Sequence, residues 1–372
     1  MKIAVSAAFG LEKVVSKELA ALGLEKCGGE DGMVLVDGDE RALAAANIML
    51  RSADRVSLLL KEFEASAFES VYEAVRSVPW ENYLKKESKI IVQAKSVKSR
   101  LSSEPALQSV AKKAVVDSLL NRYHGSVLPE TGFPARILIR ILKDRARLFI
   151  NASGEALHKR NYALKRSRAP LRETLAAALV LLSRWKGRDI IADPFCGGGT
   201  IPIEAALIMN HIYPARKRRF DAEYWPSSLR EPWEEVRQSA CEEERDSGCF
   251  VLGSDIDPEM VALSEECARR AGVEKMVRFE RGDARSLKLP GKKGLLITNP
   301  PYGERLLDGA ETAGLMKALG EAMAQYPGWD ISLLTGMEAF EKAFGRKAHR
   351  NRKLYNGALR TYLYQYYGEP HG

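Results

Sequence analysis

The spacing of apolar and polar positions divides the chain into strands and helices. IAVSAA (residues 3–8) predicts a strand, and LEKVVSKELAALGL follows with Leu11, Val14, Val15, Leu19 and Leu22 on one helical face. MVLVDG predicts a second strand, entered through the turn GGEDG. DERALAAANIMLRSA predicts a helix with Asp39 as N-cap, and RVSLLLKEF another strand. This alternation predicts a ferredoxin-like unit over residues 1–62. A helix, AFESVYEAVRSV, is then stopped by Pro79. KIIVQAKSV predicts a strand, and EPALQSVAKKAVVDSLLNRY a helix with Pro105 in its first turn. ARILIRILKDRARLFINAS predicts two strands joined at Lys143–Asp144, with Arg136, Arg140 and Arg147 off the apolar face. These elements form a second α/β unit over 63–155.

The character changes near residue 171. LRETLAAALVLLSRW predicts an amphipathic helix, RDIIADPF a strand, and TIPIEAALIMN the helix after it. An irregular stretch, YPARKRRFDAEYWPSSLREPW, interrupts the pattern. CFVLGSDID, VRFERGD, KGLLITNPP and DISLLTG predict further strands with helical material between them. RKLYNGALRTYLYQYY predicts a hairpin turning at Asn356–Gly357. The expected fold of 171–372 is a doubly wound α/β sheet with an antiparallel hairpin at one edge, joined to the first half by a linker at 156–170.

The length of 372 residues suits two or three domains, and 45% apolar residues suffice for their cores. No run of about 18 apolar residues predicts a membrane span. Glu12 and Lys13 break the apolar start, which predicts no signal peptide. Cys27, Cys196, Cys241, Cys249 and Cys267 form no CxxC pair, which suits free thiols in the cytoplasm and predicts no metal site. The net charge of +8 is uneven: residues 136–172 carry eleven Lys/Arg against two Asp/Glu, and 85–122 carry nine against three. A basic middle between acidic flanks predicts a polyanion partner.

Four motifs follow strands of the second half. DPFCGGGT (Asp193–Thr200) is a glycine-rich turn opening a helix, without the GK[ST] of a P-loop or the spacing of a dinucleotide fingerprint. GSDID places Asp255 where an acid can bind a ribose diol, with Asp257 before Pro258 as a helix N-cap. RGDARSL places Asp283 where it can accept from an adenine amine. NPPYGER places Asn299 at the rim of the sheet, with the Pro300 carbonyl as a second acceptor on a loop stiffened by Pro301, and with the ring of Tyr302 beside them. Two acceptors and a π-face describe a planar base with an exocyclic amine.

In this order the four motifs resemble those of the class I S-adenosylmethionine-dependent amino methyltransferases. The flanking SGEALHKRNYALKRSRAPLRETLAAALV, IPIEAALIMN and KLYNGALRTYLYQYY are similar to the bacterial large-subunit ribosomal RNA guanine-N2 methyltransferase family. The basic unit at 63–155 resembles a THUMP domain, an RNA-binding module that a ferredoxin-like domain precedes in that family. The resemblance implies S-adenosyl-L-methionine as cofactor, RNA as partner, and no metal or membrane. It implies that the loop from Asp193 through Phe195, Cys196, Gly197, Gly198 and Gly199 to Thr200 holds the methionine part. Asp255, with Ile256 beside it, would hold the ribose, and Asp283 with Ala284 the adenine. Asn299, counted on both the cofactor and the substrate side, would hold the target guanine with Pro300, Pro301 and Tyr302. The family more often has serine where Gly198 stands, which implies a slightly weaker hold on the cofactor. Some members carry a second methyltransferase domain, of which the sequence to Gly372 contains none. The linker mixes Lys159, Arg160, Lys165, Arg166 and Arg168 with Tyr162, and is expected to face RNA; 345–353 would extend the track.

The asparagine does not select the base, so a transfer RNA guanine or an adenine N6 remains a possible target. NPPY is also shared with DNA and protein-glutamine methyltransferases, and an RNA-binding ribosome-assembly factor with weak or lost activity is a reading of another class.

Overall fold

The computed structural model describes residues 1–164, 171–185, 190–301 and 309–368. Its first sheet contains β1 (Lys2–Ser6), β2 (Lys26–Glu30), β3 (Met33–Asp37), β4 (Arg55–Glu64), β5 (Lys89–Val97), β6 (Pro134–Leu142) and β7 (Arg145–Asn151). The order is β2-β3-β1-β4-β7-β6-β5, with only β5 and β6 parallel. Strand β4 belongs to both units, pairing with β1 on one side and β7 on the other. The ferredoxin-like and THUMP units therefore share one sheet. Asp39 caps the Glu40–Met49 helix as expected, accepting from Ala42 N at 2.9 Å.

The sequence pattern hid two elements. The GGE read as a turn belongs to β2, an edge strand that pairs only with β3 across a bulge between Lys26 and Gly28. Two glycines and no apolar alternation gave it no strand signature. The end of the irregular stretch opens the helix Arg230–Glu242, whose Trp233, Val236 and Ala240 are buried at helical spacing. Trp233 Nε1 donates to Glu40 Oε1 at 2.9 Å, so this helix docks onto the first half of the chain.

The second sheet contains β8 (Ile191–Asp193), β9 (Val251–Asp255), β10 (Val277–Arg281), β11 (Gly294–Thr298), β12 (Trp329–Thr335), β13 (Arg350–Asn356) and β14 (Leu359–Tyr366). The order is β10-β9-β8-β11-β12-β14-β13, parallel except for β14, which runs antiparallel to both β12 and β13. The chain reverses direction across the sheet between β8 and β11, the point where doubly wound sheets bind ligands beyond their carboxyl ends.

The linker corrects two expectations. Arg160 does not face RNA: its side chain is 2% exposed, paired with the fully buried Glu204, and it also donates to the Arg51 carbonyl. Tyr162, also buried, donates to Glu204 Oε1 at 2.7 Å. Glu204 is the one charge in the apolar helix Thr200–Met209, which follows the glycine loop. A carboxylate at that depth requires a cation and hydrogen bonds, and the linker supplies both. Lys159 is exposed and pairs with Glu155 at 2.7 Å. Lys165, Arg166 and Arg168 lie outside the described residues.

The irregular stretch supplies more of this junction. Arg218 donates to the carbonyls of Ser153 and Ala156, Asp221 pairs with Arg136 at 3.1 Å, and Ala222 N donates to Ala152 O at 3.0 Å. The pairing of Arg136 also corrects the charge count. Arg140 and Arg147 pair with Glu30, and Arg147 also with Glu62, so these three arginines are largely spent on internal partners. Among the described residues no carboxylate lies within ion-pair distance of Lys85, Lys86, Lys98 or Lys113.

Breaking one side of a buried ion pair strands the other charge. Arg160→Ala is therefore expected to destabilise the protein by about 3–5 kcal/mol in urea denaturation. Lys159→Ala, one residue away on the surface, should change it little. Equal effects of the two would contradict the buried assignment.

Candidate active site

The four motifs meet at the carboxyl edge of the second sheet, around β8 and β11. Asp193 ends β8 with 2% exposure. Its Oδ1 accepts from Thr298 Oγ1 at 2.6 Å and from Phe195 N at 3.1 Å. Thr298 ends β11 and is fully buried, so this hydrogen bond ties the glycine loop to the strand that delivers Asn299. The sequence reading missed Thr298. A polar residue closing the apolar run GLLI was the available signal. Burial pushes Asp193 up to about 7, although the hydrogen bonds from Thr298 and Phe195 pull the other way.

The glycine loop passes between the ends of β8 and β9. Cys196 N donates to Ser254 O at 3.0 Å, and Gly197 N to Asp255 Oδ2 at 3.0 Å. Burial pushes the Cys196 thiol well up, so it stays protonated. Gly199 is the N-cap of the helix that starts at Thr200, with φ +80°. A Cβ there would stand 2.9 Å from Ser264 Cβ and 3.0 Å from Phe279 Cζ, so glycine is required twice over. Gly198 differs: a Cβ would meet only Leu263 Cδ2, at 3.6 Å, and the space admits a serine.

Asp255 ends β9 partly exposed, holding Gly197 N on one carboxylate oxygen and Asp257 N on the other. Both oxygens are thereby fixed in direction, and each keeps accepting capacity for a diol. Asp257 caps the next helix, accepting from Glu259 N at 2.8 Å. Ile256 is 57% exposed, an apolar side chain presented beside Asp255. Asp283 stands beyond β10, and its carboxylate is clasped by Arg285 at 2.6–3.0 Å, which holds it below the usual carboxylate range. An adenine amine at Asp283 would have to share it with Arg285. Ala284 is buried beside it.

Asn299 follows β11. Its Oδ1 is buried and has no hydrogen-bond partner among the described residues. A buried carbonyl oxygen without a donor is costly, and a ligand N–H would satisfy it. Pro300 is buried and Pro301 partly so, while Tyr302 lies outside the described residues. Together, an open glycine turn at a helix N-terminus, a carboxylate fixed for a diol, an exposed apolar side chain and an unpaired acceptor fit S-adenosylmethionine beside an amine substrate. Among the described residues no group of three or more His, Cys, Asp or Glu is arranged to hold a metal, and no helix is long and apolar enough to cross a membrane.

The strand order and this site define a class I methyltransferase. The chain belongs to the RMKL-like methyltransferase domain family, which matches residues 160–365. An RlmL ferredoxin-like domain matches 2–57 and a THUMP domain 65–151. The chain is 38% identical over 367 residues to "Putative RNA methyltransferase YpsC" of Bacillus subtilis, covering 98% of this chain and 95% of that protein. It is 32% identical to the ribosomal RNA large subunit methyltransferase K/L of Syntrophotalea carbinolica, covering 98% of this chain and 53% of that protein. The chain thus spans about half the length of its K/L relatives. The crystal structure of SMU.472 complexed with SAH superposes with a TM-score of 0.92 at 42% identity, covering 100% of this chain and 99% of that one.

The raised Asp193 makes a pH prediction. Its ordinary value is 3.8 and its folded value about 7, so the folded state binds the proton more tightly. Its favourable contribution is complete below about pH 4 and is lost as pH rises through about 7. An asparagine there still accepts from Thr298 and Phe195 but cannot ionise. The melting temperature of Asp193→Asn relative to the unaltered protein is expected to rise from about pH 5 to about pH 8. A difference independent of pH would show that Asp193 does not titrate in this range.

Proposed function

We propose that this protein transfers a methyl group from S-adenosylmethionine to the exocyclic N2 amine of a guanine in large-subunit ribosomal RNA. The methyltransferase class and its cofactor follow from the family. The THUMP unit and the names of the relatives support RNA, and the K/L relatives support the large subunit. The observation that carries the amine is Asn299 Oδ1, buried and unpaired at the end of β11.

The cofactor, when bound, supplies an electrophilic methyl group on a sulfonium. The residues act on the amine. Its lone pair is delocalised into the purine ring, which makes it a poor nucleophile. Asn299 Oδ1 and the Pro300 carbonyl accept its two N–H groups and draw the nitrogen toward sp³ geometry. The freed lone pair is then available for attack. The same two acceptors stabilise the positive charge that develops on nitrogen. The cationic amine is acidic enough to lose its proton without a dedicated base. Positioning supplies much of the acceleration, because the tie from Thr298 to Asp193 holds the acceptor in fixed relation to the glycine loop. The target base must leave its stack, which costs a few kcal/mol unless it is already unpaired.

An adenine N6 amine presents the same two N–H groups, so the acceptors alone do not select guanine. The experiment uses labelled S-adenosylmethionine and total RNA from a strain lacking this gene, with nucleoside analysis of the product. N2-methylguanosine in the large ribosomal RNA is the expected result. N6-methyladenosine would assign the other amine, and label in transfer RNA the other substrate. Asn299→Ala is expected to lower the transfer rate by about 10²–10³ with cofactor affinity little changed. Loss of both in a folded variant would remove the proposed role of Asn299.

A further inference from the structure

The β13–β14 hairpin closes one side of the second sheet and reaches its carboxyl edge. Its position follows from register. Thr298 is level with Leu333, Leu333 with Tyr364, and Tyr364 with Asn351. Asn299, one residue on, shares a row with Leu334, Leu363 and Arg352. The hairpin continues past that row through the pair Lys353–Tyr362 to the pair Tyr355–Arg360. At about 3.3 Å per residue, Tyr355 and Arg360 rise about 10 Å beyond the row of Asn299, and β14 lies two strand spacings, about 10 Å, to its side. The hairpin tip is a wall beside the pocket.

One face of this wall alternates rings and cations. Directly opposed residues and residues two apart share a face, so Lys353, Tyr355, Arg360 and Tyr362 lie together. Lys353 Nζ stands 5.4 Å from the Tyr355 ring centre, and Arg360 Cζ 6.0 Å from that of Tyr362. The first half of the chain adds a third ring: Phe9, 49% exposed, meets Tyr355 edge-on at 5.7 Å. The turn that carries Phe9 is seated closely, since a Cβ on Gly10 would stand 2.9 Å from Lys353 O. Among the described residues the one acid paired here is Glu338, 3.3 Å from Arg360 and itself highly exposed. Among the described residues no carboxylate pairs with Lys353, and Arg172 lies against Gly357 at the tip.

An exposed apolar ring beside a partly exposed one, on a face that also carries Lys353 and Arg360, suits unstacked bases on a phosphate backbone better than it suits water or an apolar protein face. We propose that the hairpin tip and Phe9 form a second RNA contact, which holds unpaired nucleotides flanking the target base. The inference rests on the RNA reading given above. It also explains why a turn of the ferredoxin-like unit reaches the catalytic sheet: the contact surface is complete only when both are present.

The test uses the full chain and a fluorescein-labelled single-stranded oligoribonucleotide of mixed sequence. Affinity is read by anisotropy across a salt series, and binding of S-adenosylhomocysteine is measured in parallel. The double variant Phe9→Ala, Tyr355→Ala is expected to bind RNA about tenfold more weakly with its binding of S-adenosylhomocysteine unchanged. Tyr355→Phe, which keeps the ring, should bind as the unaltered protein does. Lys353→Gln should lower the slope of log affinity against log salt by about 1. Unchanged RNA affinity in the double variant, or an unchanged slope in Lys353→Gln where the double variant fails to fold, overturns the surface. If methyl transfer to RNA persists in that case, the methyltransferase reading stands without it. Conversely, RNA affinity that depends on the hairpin in a protein that methylates no RNA would leave the surface standing and remove the methyl-transfer reading. Retained RNA affinity with loss of binding to a ribosomal protein fraction would assign the wall to a protein partner and overturn the proposal.

Discussion

The hydrogen bond from Thr298 to Asp193 sits where the second sheet changes direction, and the geometry of the site depends on it. Without it β8 and β11 would remain neighbours, but the glycine loop and Asn299 would have no shared reference point. The bond is short and fully enclosed, so its acceptor has lost most of its hydration. The site therefore uses a carboxyl whose charge is disfavoured as a rigid acceptor, while the second carboxylate at this edge, Asp255, stays partly exposed. The division is physical: a deep acid orients backbone, and a shallow one stays hydrated and available.

The second constraint is the junction of the two halves. The Arg160–Glu204 pair, Tyr162, and the loop carrying Arg218 and Asp221 fix the THUMP unit against the catalytic sheet through charge and directed hydrogen bonds. Apolar packing alone would leave the relative angle softer. Buried charges cost stability and define orientation, and here they lie on the helix that follows the glycine loop. The linker that joins the halves in sequence is thus part of the core that joins them in space.

Much of this was legible in the sequence because period and punctuation report local structure. The strand ending in NPPY, the helix with Pro105 and the hairpin at Asn356–Gly357 all carry signals that a few residues suffice to read. Burial of charge is not local. Arg160 looks like any linker arginine until Glu204, inside an apolar helix, is recognised as needing a partner. The arginines of β6 and β7 likewise look free until Glu30, Glu62 and Asp221 arrive from other elements. Strand β2 escaped because an edge strand with two glycines is made by its partner rather than by its own preferences. That Asn299 Oδ1 finds no partner among the described residues is equally invisible in sequence, since it depends on which other elements surround the side chain.

The seating of Gly10 against Lys353 also bears on how the chain acquires its fold. The two positions are on the order of 340 residues apart, so their contact closes nearly the whole chain into a loop. During synthesis the ferredoxin-like unit leaves the ribosome before the hairpin, and neither can complete the other until translation has passed both. Strand β13 is the outermost of its sheet, and the turn at Gly10 approaches it closely at Lys353. An unpaired strand edge recruits other strands, which makes that interval the exposed stage of folding. The wall beside the carboxyl edge of the sheet is therefore complete only after the two ends of that loop have met.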